Sequence, residues 1–245
     1  MMGNGWAMGW TAIIAAGLVA VSGLSAREVH GPGFELVVID SLDKPDGPFW
    51  FVPHDNEAAA WRVGLEALQA HGGRLVAVEN AGRRMWPAPC PVSCDPNRSL
   101  GANPYGDAVI RLMSPGQPVV GLHTNAPGRR GLGAGAGTTW ADARDRNVWM
   151  PRALAGFADG DALAIVAGTR PKSDAAPPCL PNFMMGGAPM LYEEVRDGGD
   201  GSMSNDLALR QPERTYVALE ARHGDDDSLR ALLAILMACP AYAQP

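Results

Sequence analysis

Short apolar runs bounded by Gly- and Pro-rich stretches recur along this chain, with helical spacing between only some of them. Phe34-Glu35-Leu36-Val37-Val38-Ile39-Asp40 reads as a strand, closed by the turn-forming run Pro45-Asp46-Gly47-Pro48. Trp50-Phe51-Val52 reads as a short buried strand that stops at Pro53. A helical pattern starts almost at once: Ala58, Ala59, Ala60, Trp61, then Val63, Leu65 and Leu68. It runs from Glu57 to about Ala70, and His71-Gly72-Gly73 ends it, with the glycines as C-cap. Leu75-Val76-Ala77-Val78-Glu79 is another buried strand. Strand, helix, strand implies a parallel pair.

From Asn80 to Asp107 the chain is loop-like and rich in proline. Pro118 to His123 is an apolar strand ending in histidine. Residues 126–147 are rich in Gly and Arg without a period, which predicts a long surface loop. Gly131 to Gly137 superficially matches a dinucleotide loop, but no strand directly precedes it and no helix clearly follows. Ala162–Ala167, Met190–Val195 and Thr215–Ala221 read as strands. Asp225-Asp226-Asp227-Ser228 opens a last helix through Met237, with acids suited to the cap and the dipole. There is no internal repeat and no clear interdomain linker. The expected fold is one α/β domain with a mixed, mostly parallel sheet and helices on both faces.

Of the 245 residues, 47% are hydrophobic, enough for a sizeable core. Net charge is −6, which argues against nucleic acid as the main partner because phosphate binding needs a basic face. Thr11 to Leu24 is apolar and small, and Ser25-Ala26 offers a cleavage site before Arg27 and Glu28. This predicts a signal peptide over residues 1–26 and a domain over 27–245, although no Lys or Arg occurs in the first ten residues. A short membrane anchor or a misassigned start codon is the alternative; a spanning helix needs about 20 apolar residues. The expected location is exported, periplasmic or secreted, with no membrane contact after cleavage. Four cysteines allow three disulfide pairings. Cys90 and Cys94 can close a small loop, leaving Cys179 to reach Cys239. A zinc site of all four is the rival, with poor spacing for it.

The candidate chemistry lies at strand ends, where open α/β sheets keep their sites. His54 and Glu57 follow the strand at Trp50, three residues apart. Imidazole nitrogen plus carboxylate oxygen is a plausible pair of zinc ligands. The other reading is a surface histidine beside a glutamate that suits the helix dipole, and the motif alone does not separate the two. His123 ends a second strand and Glu220 lies near the end of a third. Two histidines and one carboxylate leave a coordination position open, as catalytic zinc sites do. A further carboxylate would move the proton. His30 and His71 are expected to be solvated, and His223, three residues past Glu220, to be an exposed loop residue rather than a support for the site. Asp159-Gly160-Asp161 reads as a turn rather than a calcium loop. Trp140 and Trp149 read as core packing rather than pocket lining.

The order Pro53-His54-Asp55-Asn56-Glu57, Asp95-Pro96-Asn97-Arg98, Leu122-His123-Thr124-Asn125 and Tyr216-Val217-Ala218-Leu219-Glu220 resembles the zinc carboxypeptidase superfamily. It looks closest to the branch with succinylglutamate desuccinylase and aspartoacylase, over about Phe51 to Gly224. The resemblance implies one zinc ion on His54, Glu57 and His123. It implies Asn97 and Arg98 on a substrate carboxylate, gripped by two parallel hydrogen bonds, and Glu220 as general base. It also implies an arginine that polarises the scissile carbonyl; Arg84 is the candidate and Arg83 its substitute. Two positions depart from the pattern. Asp55 replaces a glycine, and the usual tyrosine over the substrate has no clear match, leaving Ser202 as a candidate pocket residue.

Three readings follow. The first is an exported zinc hydrolase acting on a small peptide or N-acyl amino acid next to a free carboxylate. The second is an exported, non-catalytic binding protein on the same fold. The third is a membrane-anchored structural domain, which predicts no metal.

Overall fold

The computed structural model describes residues 23–90, 93–101, 104–125, 148–149, 151–152, 157, 162–196 and 199–242. Its strands are β1 (Leu24–Gly31), β2 (Phe34–Ser41), β3 (Phe49–Val52), β4 (Arg74–Glu79), β5 (Val119–Asn125), β6 (Val148–Trp149), β7 (Leu163–Gly168), β8 (Met190–Glu194) and β9 (Tyr216–Arg222). Its helices are α1 (Ala58–His71), α2 (Tyr105–Arg111), α3 (Leu180–Met185), α4 (Met203–Arg210) and α5 (Asp226–Met237). The nine strands form one sheet in the order β1-β2-β4-β3-β5-β9-β7-β8-β6.

The sheet is mixed, and the expected parallel majority is not there. Four neighbour pairs are parallel (β3–β4, β3–β5, β5–β9, β7–β8) and four antiparallel (β1–β2, β2–β4, β6–β8, β7–β9). Continuous apolar runs favour the parallel reading because parallel strands are covered on both faces. Here an antiparallel strand is covered in the same way: Leu36, Val37, Val38 and Ile39 of β2 are all buried. Direction is therefore not legible from the run itself. Strand β1 takes in Leu24, Ser25 and Ala26, paired with Ser41, Asp40 and Ile39; the sequence reading had set these three residues aside. The predicted loop at 126–147 and the Asp159-Gly160-Asp161 turn lie outside the described residues, as do Trp140 and residues 1–22 of the expected signal segment.

Helices do cover both faces. One core packs α1, α3 and α5 against Trp50, Val52, Leu122 and Leu219. The other packs α2 and α4 against Phe49, Phe51, Val76 and Val119. Alternation along β3 sends Trp50 and Val52 one way and Phe49 and Phe51 the other. Helix α1 forms because Ala60, Val63, Gly64, Ala67 and Leu68 fall on one stripe and are buried. Complete burial of Leu68 contributes about 1.5–3 kcal/mol. The helix stops at Gly72, with φ 73°. Gly73 (φ 85°) then passes so close to the Pro48 carbonyl that a Cβ would lie 2.0 Å from its oxygen.

The cysteines pair as Cys90–Cys94 and Cys179–Cys239. The second bridge is buried and joins the start of α3 to the residue two beyond α5. Among the described residues no helix is long and apolar enough to cross a membrane.

Candidate metal centre

Strands β3, β5 and β9 are adjacent and parallel, so their C-terminal ends meet at one edge. Just past β3, the Glu57 N–H donates to the His54 carbonyl at 3.2 Å, and this turn points both side chains inward. Glu57 sits at the N-cap of α1, one residue ahead of the expected first turn, and is 1% exposed. His54 is likewise fully buried, so the reading of a surface histidine beside a helix-dipole glutamate does not hold. His123 is buried on β5, with its ring centroid 5.6 Å from that of His54.

One ligand atom from each of His54, Glu57 and His123 lies within 4.8 Å of the others. His54 Nδ1 is 2.7 Å from Glu57 Oε1, and His123 Nδ1 is 3.9 Å from Glu57 Oε2. His54 Nε2 meets Asp95 Oδ1 at 2.8 Å. Asp95 is itself fixed as the cap of the short turn Pro96–Arg98, accepting from the Asn97 N–H. With Nε2 engaged, His54 Nδ1 is the atom that can offer a lone pair once its proton is displaced. It is buried and makes no aligned hydrogen bond despite its closeness to Glu57. An orphaned ring nitrogen, a second imidazole and a carboxylate are a donor set suited to zinc. An outer carboxylate on the far ring nitrogen is the usual support for a metal-binding histidine.

The electrostatics are those of a buried charged cluster. Burial lowers the His54 pKa, but the charge of Glu57 and the close approach of the Asp95 and Glu57 carboxylates, which favour the protonated ring, outweigh it, giving about 9. Burial raises Glu57, yet His54, His123 and Arg84 hold it below its ordinary value. Burial dominates at His123 and takes it down to about 3. Asp95, desolvated but bonded to His54, falls to about 2. Burial, then the charge of Glu57, lifts Glu220 to about 8.

Glu220 lies beside His123 in register, and its carboxylate accepts a hydrogen bond from Asn125 Nδ2. Arg84 Nη1 donates to Glu57 Oε1 at 2.7 Å, and Nη2 is 3.9 Å from Asp95. Arg83 turns away to the Asn80 carbonyl. A cavity of about 80 Å³ opens against the cluster, lined by Asn97, Arg98, His123, Glu193, Tyr216 and Glu220 among others. Arg98 pairs with Asp200 at 3.2 Å, and Asn97 Oδ1 accepts from the Met203 N–H at 3.4 Å. A larger hollow of about 480 Å³, near Val166, Arg170 and Arg214, contains none of the proposed ligands.

Thus the structure gathers His54, Glu57, His123, Glu220 and Arg84, with Asn97 and Arg98 at the cavity wall. Ser202 is the exception. It caps α4, its hydroxyl accepting from the Asn205 N–H, and the serine lining the cavity is Ser204. A serine just ahead of a helix is a cap by default, but the sequence reading placed no helix after Ser202. His223 is exposed as expected, but its Nδ1 meets the Thr124 hydroxyl at 2.7 Å beside His123. His30 is exposed, while His71 is half-buried at the end of α1. Trp149 packs edge-on to Tyr192 at 5.7 Å, away from the site. Asp55, the departure from the motif, is buried and accepts from the Asn80 N–H at 2.8 Å, so it ties the ligand turn to the end of β4. Sequence reasoning assigned no role to Asp95 or Asn125, although both stand inside quoted motifs. It had no signal for Glu193.

No family model and no curated protein matches the chain. An aspartoacylase family protein from Mesorhizobium loti is similar in structure at 15% identity, covering 91% of this chain and 69% of that chain, with a TM-score of 0.47. An esterase mutant in complex with a ligand is 16% identical over 46% of this chain and 40% of that chain, with a TM-score of 0.25. At these levels neither likeness extends to function.

Proposed function

We propose that the protein is a zinc-dependent hydrolase that cleaves an amide or peptide bond next to a free carboxylate, of carboxypeptidase or N-acyl-amino-acid amidohydrolase type. One observation carries the reading. Two histidines and two glutamates, all buried, converge at the ends of three adjacent parallel strands, beside a cavity walled by Asn97 and Arg98.

His54, Glu57 and His123 would hold one zinc ion, which supplies a Lewis acid and lowers the pKa of water. Asp95 holds the His54 ring so that Nδ1 faces inward. Glu220 takes a proton and returns it to the leaving amine. Its carboxyl, lifted to about 8 by burial and Glu57, sits near neutrality, where one group can do both. Asn125 orients that carboxyl. Arg98 and Asn97 receive the substrate carboxylate. Arg84 balances the Glu57 charge as it stands, and must leave Glu57 to reach a scissile carbonyl. The domain over 27–245 and an oxidising, exported location belong to the same proposal. The two disulfides support such a compartment.

A binding protein on the same fold is the second reading. The observation favouring it is the Arg84 guanidinium already seated on Glu57.

The test is elemental analysis of purified protein, together with turnover of N-acyl amino acids and peptides with free C-termini. Near-stoichiometric zinc and chelator-sensitive hydrolysis are expected, with zinc absent from the double variant His54→Ala/His123→Ala. A parent that takes up no metal even after incubation with zinc returns the chain to the binding-protein reading.

A further inference from the structure

Among the described residues, the cavity beside the cluster is lined by more carboxyl groups than arginines or lysines. The one arginine or lysine among the described lining residues, Arg98, is paired with Asp200 at 3.2 Å. Two further carboxylates, Glu193 and Glu220, line it with no cation of their own among the lining residues. A pocket meant only for a carboxylate would not be built this way. A bare anion would meet an arginine already shared with Asp200, beside two further carboxyl groups.

Glu193 is held in place. Alternation along β8 turns Met190 and Tyr192 into the main core, and sends Leu191 and Glu193 to the opposite face. The Ser204 hydroxyl donates to Glu193 Oε2 at 2.6 Å, and Asn205 Nδ2 lies 3.3 Å from the same oxygen. Oε1 accepts no hydrogen bond from the described residues. One oxygen is therefore anchored by α4, and the other is left for a ligand. Burial, with the charge of Asp200, pushes the Glu193 carboxyl up against the Ser204 hydrogen bond and the charge of Arg98.

From the anchored Glu193, the Arg98–Asp200 pair and the cavity between them, we infer that the site takes a substrate whose carboxylate-bearing residue also carries a cationic amine. The carboxylate lies at Arg98 and the ammonium at Glu193, in line with the hydrolase reading on which this inference rests. The cavity of about 80 Å³ fits the size. At about 10–15 Å³ per water-sized sphere it holds a short aminoalkyl chain. Glu193 is thus a specificity-determining residue, and Ser204 and Asn205 are the groups that position it.

The experiment measures equilibrium binding of N-acetyl-lysine and N-acetyl-norleucine, which differ by the ammonium alone, to zinc-treated parent and to Glu193→Gln. The glutamine keeps the shape and can still accept from Ser204. The parent is expected to bind the lysine probe about tenfold or more tighter, and Glu193→Gln to lose that preference. Equal binding of both probes by the parent, binding of neither, or a preference that survives in Glu193→Gln overturns the inference. The parent comparison decides even if the variant fails to fold. Hydrolysis of the matching C-terminal peptides is scored separately. A lysine preference without turnover rejects the hydrolase and keeps the cation pocket. Turnover without a lysine preference rejects the pocket and keeps the hydrolase.

Discussion

His123 and Glu220 are register partners on the adjacent parallel strands β5 and β9, so a candidate metal ligand and a candidate base stand side by side. Sheet geometry, not loop conformation, sets their spacing, and strand positions are the more rigid place for such a pair. Asn125, two residues along β5, donates to Glu220 and fixes its direction.

Replacing Glu220 by Gln is therefore expected to leave zinc content intact and lower kcat by about 10²–10⁴-fold, the usual range for a proton-transfer group. Turnover and elemental analysis on the same preparation check both halves. Loss of zinc along with activity would make Glu220 a ligand instead.

Asp95 acts on the metal through His54. The variant Asp95→Ala frees the ring to turn and is expected to weaken zinc binding by about 10–100-fold, with little change in the circular dichroism spectrum. Competition against a zinc chelator gives the affinity. An unchanged affinity would show that the 2.8 Å contact with His54 is idle.

In the metal-free protein His54 keeps its proton up to about pH 9. A cation must displace it from Nδ1, so zinc affinity should rise about tenfold per pH unit towards pH 9. Calorimetry at pH 7 in buffers of different ionisation enthalpy should show about one proton released. Binding that ignores pH would contradict this.

The same groups set the stability of the metal-free protein. Glu220 is raised from 4.5 to about 8, so the fold binds its proton more tightly than the unfolded chain. That contribution is present below 4.5 and lost as pH rises to 8. His54, raised from 6.5 to about 9, loses its contribution between 6.5 and 9. His123, lowered to about 3, works the other way, and its effect is complete by 6.5. Between pH 6.5 and 8 both remaining trends point down. Urea midpoints of metal-free protein should fall across that window, and less steeply in Glu220→Gln.

Gly121 lies under Tyr216, where a Cβ would sit 2.8 Å from the phenol oxygen. Gly121→Ala is expected to push that hydroxyl out of place, at about 1–3 kcal/mol in stability, and to weaken probe binding while zinc binding persists. Thermal melts and probe titration separate the two effects. Unchanged probe binding would remove Tyr216 from the pocket.

Much of the ligand set was legible because it is local. His54 and Glu57 follow a short apolar run and open a periodic one, and His123 and Glu220 end runs of their own. The helices α2, α3 and α4 were not seen. Tyr105–Arg111 follows a proline-rich stretch with no clear apolar stripe. Met203–Arg210 is a short segment that turns polar residues such as Asn205 and Asp206 inward. Strand direction was misjudged because two-sided burial looks the same in parallel and antiparallel strands.

By itself the sequence placed β2, β3, β4, β5, β7, β8 and β9 and the helices α1 and α5 to within a few residues, since Pro53, Gly72 and the apolar periods act locally; β1 and β6 it did not place. It also determined which groups can ligate. Only the tertiary structure decided that β3, β5 and β9 are neighbours, that Asp95 reaches His54 across 41 positions, and that Glu193 faces the same cavity as Arg98. Those relations depend on strand order and on packing of both faces, which no local run of residues encodes.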